Sequence, residues 1–253
     1  MKILFALFIA FLLVGCITES TQETFKVANW NLQIFGEKKA QNQTLMRFYA
    51  QTIDDYDIVF VQEIRDDSGT AFPKLCSMLP GYNCWNSSRA GRTASKEQYG
   101  IIYKKEFILE NVTDFNPDEK NRWQRPPIMA KFSISNYSFS TYNIHIQPSD
   151  VYQELSNLEQ IINNEGNVMI LGDLNADCNY YNTKNRSFVN WTWIINDSED
   201  TTVASSSCAY DRIILNDDMK NEYIHHGIFK EGIIPSISDH YLVWAEIKVG
   251  DTA

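Results

Sequence analysis

Short apolar, β-branched runs recur between residues 25 and 249, and one after another stops at a carboxylate, an amide or an imidazole. Asn31 follows Val27-Ala28, Glu63 follows Ile58-Val59-Phe60-Val61, and His145 follows Tyr142-Asn143-Ile144. Asp173 and Asn175 follow Met169-Ile170-Leu171, Asp211 follows Cys208-Ala209-Tyr210, and Asp239-His240 precede Tyr241-Leu242-Val243. Runs of this length and composition are strands. A charge beside a buried strand is costly unless it is paired or metal-bound, so this many at strand ends imply a shared purpose. Singly, each is an ordinary turn residue. The adjacent His225-His226 has no such company and reads as structural.

The runs predict strands at 25–32, 58–62, 100–104, 129–135, 138–145, 168–171, 210–215 and 241–249, with a hairpin turn at Asn136-Tyr137. Val151, Leu155, Leu158 and Ile162 fall on one helical face, which predicts a helix over 150–163 with Ser149 or Asp150 as its N-cap; a weaker pattern covers 44–53. No repeat or long linker divides the chain, so residues 24–253 are expected to form one domain of α/β (α+β) class, with packed mixed sheets and helices outside.

Met1-Lys2, an apolar run over 3–14 and Leu13-Val14-Gly15-Cys16 read as an export signal, the run being too short for a membrane span. LVGC resembles the lipobox of prokaryotic lipoproteins. Residues 1–16 are therefore expected to be a lipoprotein-type signal peptide ending at a lipidated Cys16, with 17–23 as a linker and the protein facing outward or the periplasm on a lipid anchor. An ordinary cleaved signal would leave it secreted. Four further cysteines, Cys76, Cys84, Cys178 and Cys208, suit disulfides in an exported chain. Three pairings are open; the simplest is Cys76 with Cys84 and Cys178 with Cys208. Sequons stand at Asn42, Asn86, Asn111, Asn136, Asn185, Asn190 and Asn196. A formal net charge of −10 excludes bulk attraction to polyanions, so an anionic substrate must be held by local arginines and a metal ion.

Read together, NWNLQIFG, VFVQEIRD, GRTASKEQY, YNIHIQPSD, GDLNADCNY, CAYDRI and ISDHY resemble, in order, the deoxyribonuclease I branch of the endonuclease/exonuclease/phosphatase family. The resemblance covers nearly the whole chain after the leader. It implies a four-layer α/β/β/α sandwich, two central mixed β-sheets flanked by helices, with the active site at one edge. It makes Glu63 the main ligand of a hard divalent cation, helped by Asn31 and by Asp173 or Asp239; Mg²⁺, with Mn²⁺ as a substitute, suits such a set. His240 with Asp211 resembles the base that activates water, although some family members give that role to the position of Asp173. His145 with Glu97 resembles the opposing acid, and Asn175 with Asn31 would donate to the phosphoryl oxygens.

Arg65, Arg92, Arg125, Tyr180 and Tyr210 match positions that contact the DNA backbone or groove. Gln33 and Ser95 depart from the vertebrate pattern, replacing an arginine and a tyrosine inserted into the minor groove, which weakens the case for double-stranded DNA. Asp200, Thr202 and Ser206 match a structural Ca²⁺ loop, but Ala204 replaces a hydroxyl there and Pro126 removes a second site's acid. The expected activity is metal-dependent endonucleolytic cleavage of DNA, with double-stranded DNA still the expected substrate, probed against two alternatives: a sphingomyelinase-like phosphodiesterase and a non-catalytic surface binding lipoprotein. No protein partner is expected, and a monomer is.

Overall fold

Two six-stranded sheets form the centre of the structure, a computed structural model that describes residues 23–250. The expected signal peptide, Cys16 and all of the linker but Glu23 lie outside the described residues. The first sheet runs in the order β11 (Tyr223–Phe229), β12 (Leu242–Lys248), β1 (Thr24–Phe35), β2 (Ile58–Ile64), β4 (Gln98–Lys104) and β3 (Tyr82–Asn86). The second runs β5 (Ile108–Asp114), β6 (Ile128–Ile134), β7 (Tyr137–Asn143), β8 (Asn167–Asp173), β10 (Asp211–Leu215) and β9 (Thr192–Trp193). Each sheet is mixed, with one parallel pair at its middle: β1 with β2, and β7 with β8.

Central strands here are apolar on both faces because both faces are covered. Val27, Phe60 and Ile101 meet Phe132, Phe139 and Leu171 between the sheets. On the outer face of the first sheet, Ala28, Trp30 and Val59 pack under α1 (Glu37–Gln41), α2 (Gln43–Ile53) and α3 (Ala71–Cys76). On the outer face of the second, Val168 and Ile170 pack under Leu155 and Leu158 of α4 (Val151–Glu159). A further short helix, α5 (Asp217–Glu222), follows β10. The order of layers is thus helix, sheet, sheet, helix, as expected from the resemblance.

All eight expected strands are present, and all are interior to the sheets. The four that the residue pattern did not reveal, β3, β5, β9 and β11, are the four sheet edges. Edge strands face solvent along one side and lose the apolar signature: β5 reads ILENVTD and is mostly exposed or half-buried. The hairpin turn sits at Ser135-Asn136, one residue earlier than expected, with Ser135 at φ +53. Tyr137 is instead the first residue of β7, because its ring is buried against Phe25. The helix expected over 150–163 stops at Glu159; Asp150 is its N-cap by position, at the end of the 3-10 turn Pro148–Asp150, and its side chain makes no capping bond. The helix expected at 44–53 starts at Gln43, where Asn42 accepts from the amides of Thr44 and Leu45.

Gly172, between the buried Leu171 and Asp173, takes φ +150, and a Cβ there would stand 2.1 Å from the Ile144 carbonyl oxygen. This is backbone on backbone, so no rotamer relieves it. Gly172→Ala is expected to lower unfolding free energy by about 3 kcal/mol or more, read as a drop in the urea midpoint.

Candidate active site

The two parallel strand pairs lead their C-terminal ends to one edge of the sandwich, and what joins them there is a set of buried amides. Gln62, fully buried on β2, donates from Nε2 to the Ile144 carbonyl at 2.9 Å and accepts at Oε1 from the Asp173 amide at 2.9 Å. Asn29 on β1 donates to the same Oε1 at 3.3 Å, and Asn143 on β7 donates to the Asn29 side chain at 2.8 Å and to the Leu171 carbonyl at 2.9 Å. These contacts span the two sheets directly beneath the polar residues. Sequence reasoning missed all three amides: a polar residue inside an apolar strand is the signal that could have found them.

Beyond this layer the chain turns sharply. Glu63 adopts φ +58 and Asn175 φ +48, left-handed conformations rare outside glycine that commonly mark functional positions. Asn31 Nδ2 lies 3.2 Å from Glu63 Oε1 and 3.1 Å from Asp173 Oδ2, linking the two carboxylates. The other Glu63 oxygen accepts from the Ile34 amide at 2.9 Å and pairs with Arg65 at 3.0 Å. Asn175 donates to the Ile146 carbonyl at 3.0 Å.

Two imidazoles face each other across this centre. His240 turns Nδ1 to Asp211 at 2.8 Å and Nε2 to Asp173 Oδ2 at 3.5 Å. His145 turns Nδ1 to Glu97 at 2.6 Å and Nε2 to the same Asp173 oxygen at 3.3 Å. Asp173 and Asp211 are direct cross-strand neighbours on β8 and β10, a like-charge pairing that is unfavourable on its own and is offset by the imidazole between them. Asp239 Oδ1 is 3.8 Å from His240 Nε2. Ser238, also missed, fixes this segment: it donates to the Asn31 carbonyl at 2.6 Å and accepts from the His240 amide at 3.0 Å.

The electrostatics follow from burial and pairing. Burial pushes Glu97 up, but His145, Arg125 and Arg65 outweigh it and hold the carboxyl down at about 2. Burial lowers His145, and the neighbouring Glu97 and Asp173 carboxylates more than restore it, so its imidazole titrates above the usual range. Burial likewise opposes the charge on His240, yet Asp211 and Asp173 hold it protonated above the ordinary range. Asp211, wholly buried, is itself raised by that burial.

The donor set fits a hard divalent cation. Glu63, Asp173 and Asp239 offer carboxylate oxygens, with no thiolate near, while Asn31 turns its NH2 to Glu63 and Asp173 and its amide oxygen accepts from the Gln33 amide at 2.9 Å. Among the described residues, two groups bring three acidic or imidazole ligand atoms within reach of one ion: Glu63, Glu97, His145 and Asp173, Asp211, His240.

Of the other expected residues, Arg65 bridges Glu63 and Glu97, and Arg125 lies 3.1 Å from Glu97 while donating to the His145 carbonyl. Arg92 donates to the Asn121 carbonyl on an exposed loop. Tyr180 and Tyr210 sit side by side with ring centroids 5.4 Å apart. Asp200 Oδ1 is occupied by the amides of Thr202 and Cys208, the Thr202 hydroxyl donates to the Ser206 carbonyl, and Lys230 stands 3.7 Å from the other Asp200 oxygen. That loop is therefore held by its own hydrogen bonds and a lysine. Cysteines pair as Cys76–Cys84 and Cys178–Cys208. Asp177 accepts from the Ala209 amide at 2.7 Å and so ties the two sides of the second bridge.

The model of the Endonuclease/Exonuclease/phosphatase family matches residues 28–240. The chain is 30% identical to Deoxyribonuclease-1 of Homo sapiens, over 98% of this chain and 99% of that one. It is 29% identical to Deoxyribonuclease-1 of Gallus gallus, over 94% and 97% respectively. Among solved structures, an endonuclease/exonuclease/phosphatase family protein from Bacteroides thetaiotaomicron superposes with TM-score 0.67 at 16% identity, covering 91% of this chain and 99% of that one. D. rerio TDP2 complexed with single strand DNA product superposes with TM-score 0.66 at 14% identity, covering 88% and 98%. At these identities the structural likeness is one of fold.

Replacing Gln62 by Leu removes the bonds to Ile144 and Asp173 at one stroke and leaves buried partners unpaired. Gln62→Leu is expected to cost about 3 kcal/mol in chemical unfolding, with hydrogen exchange accelerated at the amide of Asp173.

Proposed function

The chain belongs to the endonuclease/exonuclease/phosphatase family, in its deoxyribonuclease I branch, and from that membership together with the two facing His–carboxylate pairs we propose that it is an exported, metal-dependent endonuclease hydrolysing DNA to 5′-phosphorylated fragments. One observation carries the reading: both imidazole Nε2 atoms converge on the same Asp173 oxygen, at 3.3 and 3.5 Å, while each Nδ1 is held by its own carboxylate. A phosphate at that point has a proton acceptor on one side and a proton donor on the other, the arrangement that in-line attack by water requires.

His240 takes the proton of the attacking water at Nε2, while Asp211 fixes the tautomer by accepting from Nδ1 and stabilises the imidazolium. Asp173 is near enough to share that role. His145, held protonated by Glu97, gives its Nε2 proton to the leaving oxygen. Asn175 and Asn31 orient the phosphoryl oxygens, and Arg65 and Arg125 hold Glu97 charged; Arg65, the more exposed of the two, also presents a positive edge to the DNA backbone, whereas Arg125 is turned inward. Glu63, Asn31, Asp173 and Asp239 would hold the cation, Mg²⁺ or Mn²⁺. When bound, it supplies positive charge to the phosphoryl oxygens and offsets the carboxylates that keep His240 protonated. Asp200, Thr202 and Ser206 would hold at most one Ca²⁺. The two disulfides support export to an oxidising compartment, with Cys16 as the site of a lipid anchor.

Acid-soluble release from plasmid DNA tests this. With Mg²⁺ the protein is expected to nick and then degrade the plasmid, and EDTA abolishes the activity. His240→Ala and His145→Ala each lower the rate by about 10²–10⁴-fold while circular dichroism at the assay temperature stays near wild type; the unfolding midpoint falls, because each change leaves a buried carboxylate without its imidazole. Near-wild-type rates in both, or turnover of a choline phosphodiester with DNA left intact, would contradict the reading.

A further inference from the structure

Two aromatic side chains, Tyr152 and Tyr180, are the only exposed ones among the described residues, 45% and 42% accessible, and both line the same cleft. Exposed rings carry a hydrophobic cost that is seldom concentrated at one place without use. The cleft holds about 230 Å³ and is completed by Ser149, Asp150, Val151 and Gln153. Both of its walls are joined along the chain to the catalytic centre. Ser149 and Asp150 follow His145 on one loop, and Tyr180 follows Asn175 on the turn leaving β8.

Each ring is held from behind. Tyr180 packs on Tyr210 with centroids 5.4 Å apart, and this contact follows from the covalent frame, since each tyrosine lies two residues beyond one half of the Cys178–Cys208 bridge. Tyr210 in turn precedes Asp211, the partner of His240. Across the cleft, Tyr152 packs on the buried Tyr181 at 4.5 Å, Tyr181 stacks on Trp193 at 6.3 Å, and the Tyr152 hydroxyl oxygen accepts from the Asn182 amide at 2.7 Å. Rings backed in this way are set in place before any ligand arrives, which lowers the ordering cost of stacking.

The only charged residue lining the cleft is Asp150, so a phosphate is disfavoured there. Two ring faces and a carboxylate acceptor suit a flat, neutral heterocycle with an exocyclic amino donor. We propose that this cleft takes one unpaired nucleobase of the DNA strand next to the scissile phosphate, so that the enzyme favours single-stranded or frayed DNA over intact duplex. A paired base is stacked within its helix and cannot enter. This rests on the nuclease reading of the adjoining centre.

The test uses a short single-stranded oligonucleotide carrying 2-aminopurine, bound in EDTA so that no turnover occurs, followed by cleavage of single-stranded and duplex oligonucleotides with Mg²⁺. The expected result is quenched emission on binding, about tenfold weaker binding in Tyr152→Ala, and near-wild-type binding in Tyr152→Phe, which keeps the ring. The ratio of single-strand to duplex kcat/KM falls by about the same factor in Tyr152→Ala, with the loss in KM. Unquenched probe and equal affinity in wild type and Tyr152→Ala would overturn the cleft even if DNA is cut. A quenched probe with neither strand form cut would support the cleft and contradict the nuclease reading instead.

Discussion

The side-chain amide of Gln62 is the point on which the catalytic edge depends. Two sheets stacked face to face through apolar side chains have no directional restraint, because dispersion and hydrophobic contact are nearly indifferent to small slides. Gln62 supplies the restraint: one donor and one acceptor on β2 match a carbonyl beyond β7 and an amide at the end of β8. Gly172 makes the approach possible, since any Cβ there would collide with the Ile144 carbonyl and press on Gln62 Nε2. Glu63, the next residue after Gln62, and Asp173, the next after Gly172, are therefore held in fixed relation although they lie on different sheets.

From that junction the site is a succession of cross-sheet pairings. Asn31 links Glu63 of the first sheet to Asp173 of the second, and His240 of the first-sheet side pairs with Asp211 of the second. His145 on the second-sheet side pairs with Glu97, which Arg65 and Arg125 also hold. Every catalytic pair in the proposed mechanism thus has one member on each sheet. Carboxylates concentrated in this way repel one another, and the imidazoles and guanidiniums placed between them let them remain ionised while buried.

The parts of this that were legible in the sequence share a physical cause. Interior strands are covered on both faces and so are written as apolar runs, whereas β3, β5, β9 and β11 form the edges and carry mixed residues that look like loop. The polar stops at strand ends pointed to His145, Asp173, Asn175, Asp211 and His240, and the family resemblance added Glu97, which follows no apolar run. The structure brings these together. Gln62, Asn29 and Asn143 were marked only as single polar residues inside apolar strands, a signal without period, and the partner across the sheets is what explains each of them. Arg92 is engaged by the Asn121 carbonyl, and Asp200 with Thr202 and Ser206 forms a loop satisfied by its own bonds. The Tyr152–Tyr180 cleft was half visible, through Tyr180, because its other wall comes from a helix distant in sequence.

The central claim is that His145 and His240 act on one phosphate. The chain has four histidines, and the other two lie on the edge strand β11, so ¹⁵N resonances of the imidazoles give two probes and two internal controls. Titrating the labelled protein with Mg²⁺ and a non-hydrolysable dinucleotide should move the Nε2 signals of His145 and His240 together, saturating at one dissociation constant, while His225 and His226 stay in place. Movement of only one of the two, or of both with different constants, would contradict the account.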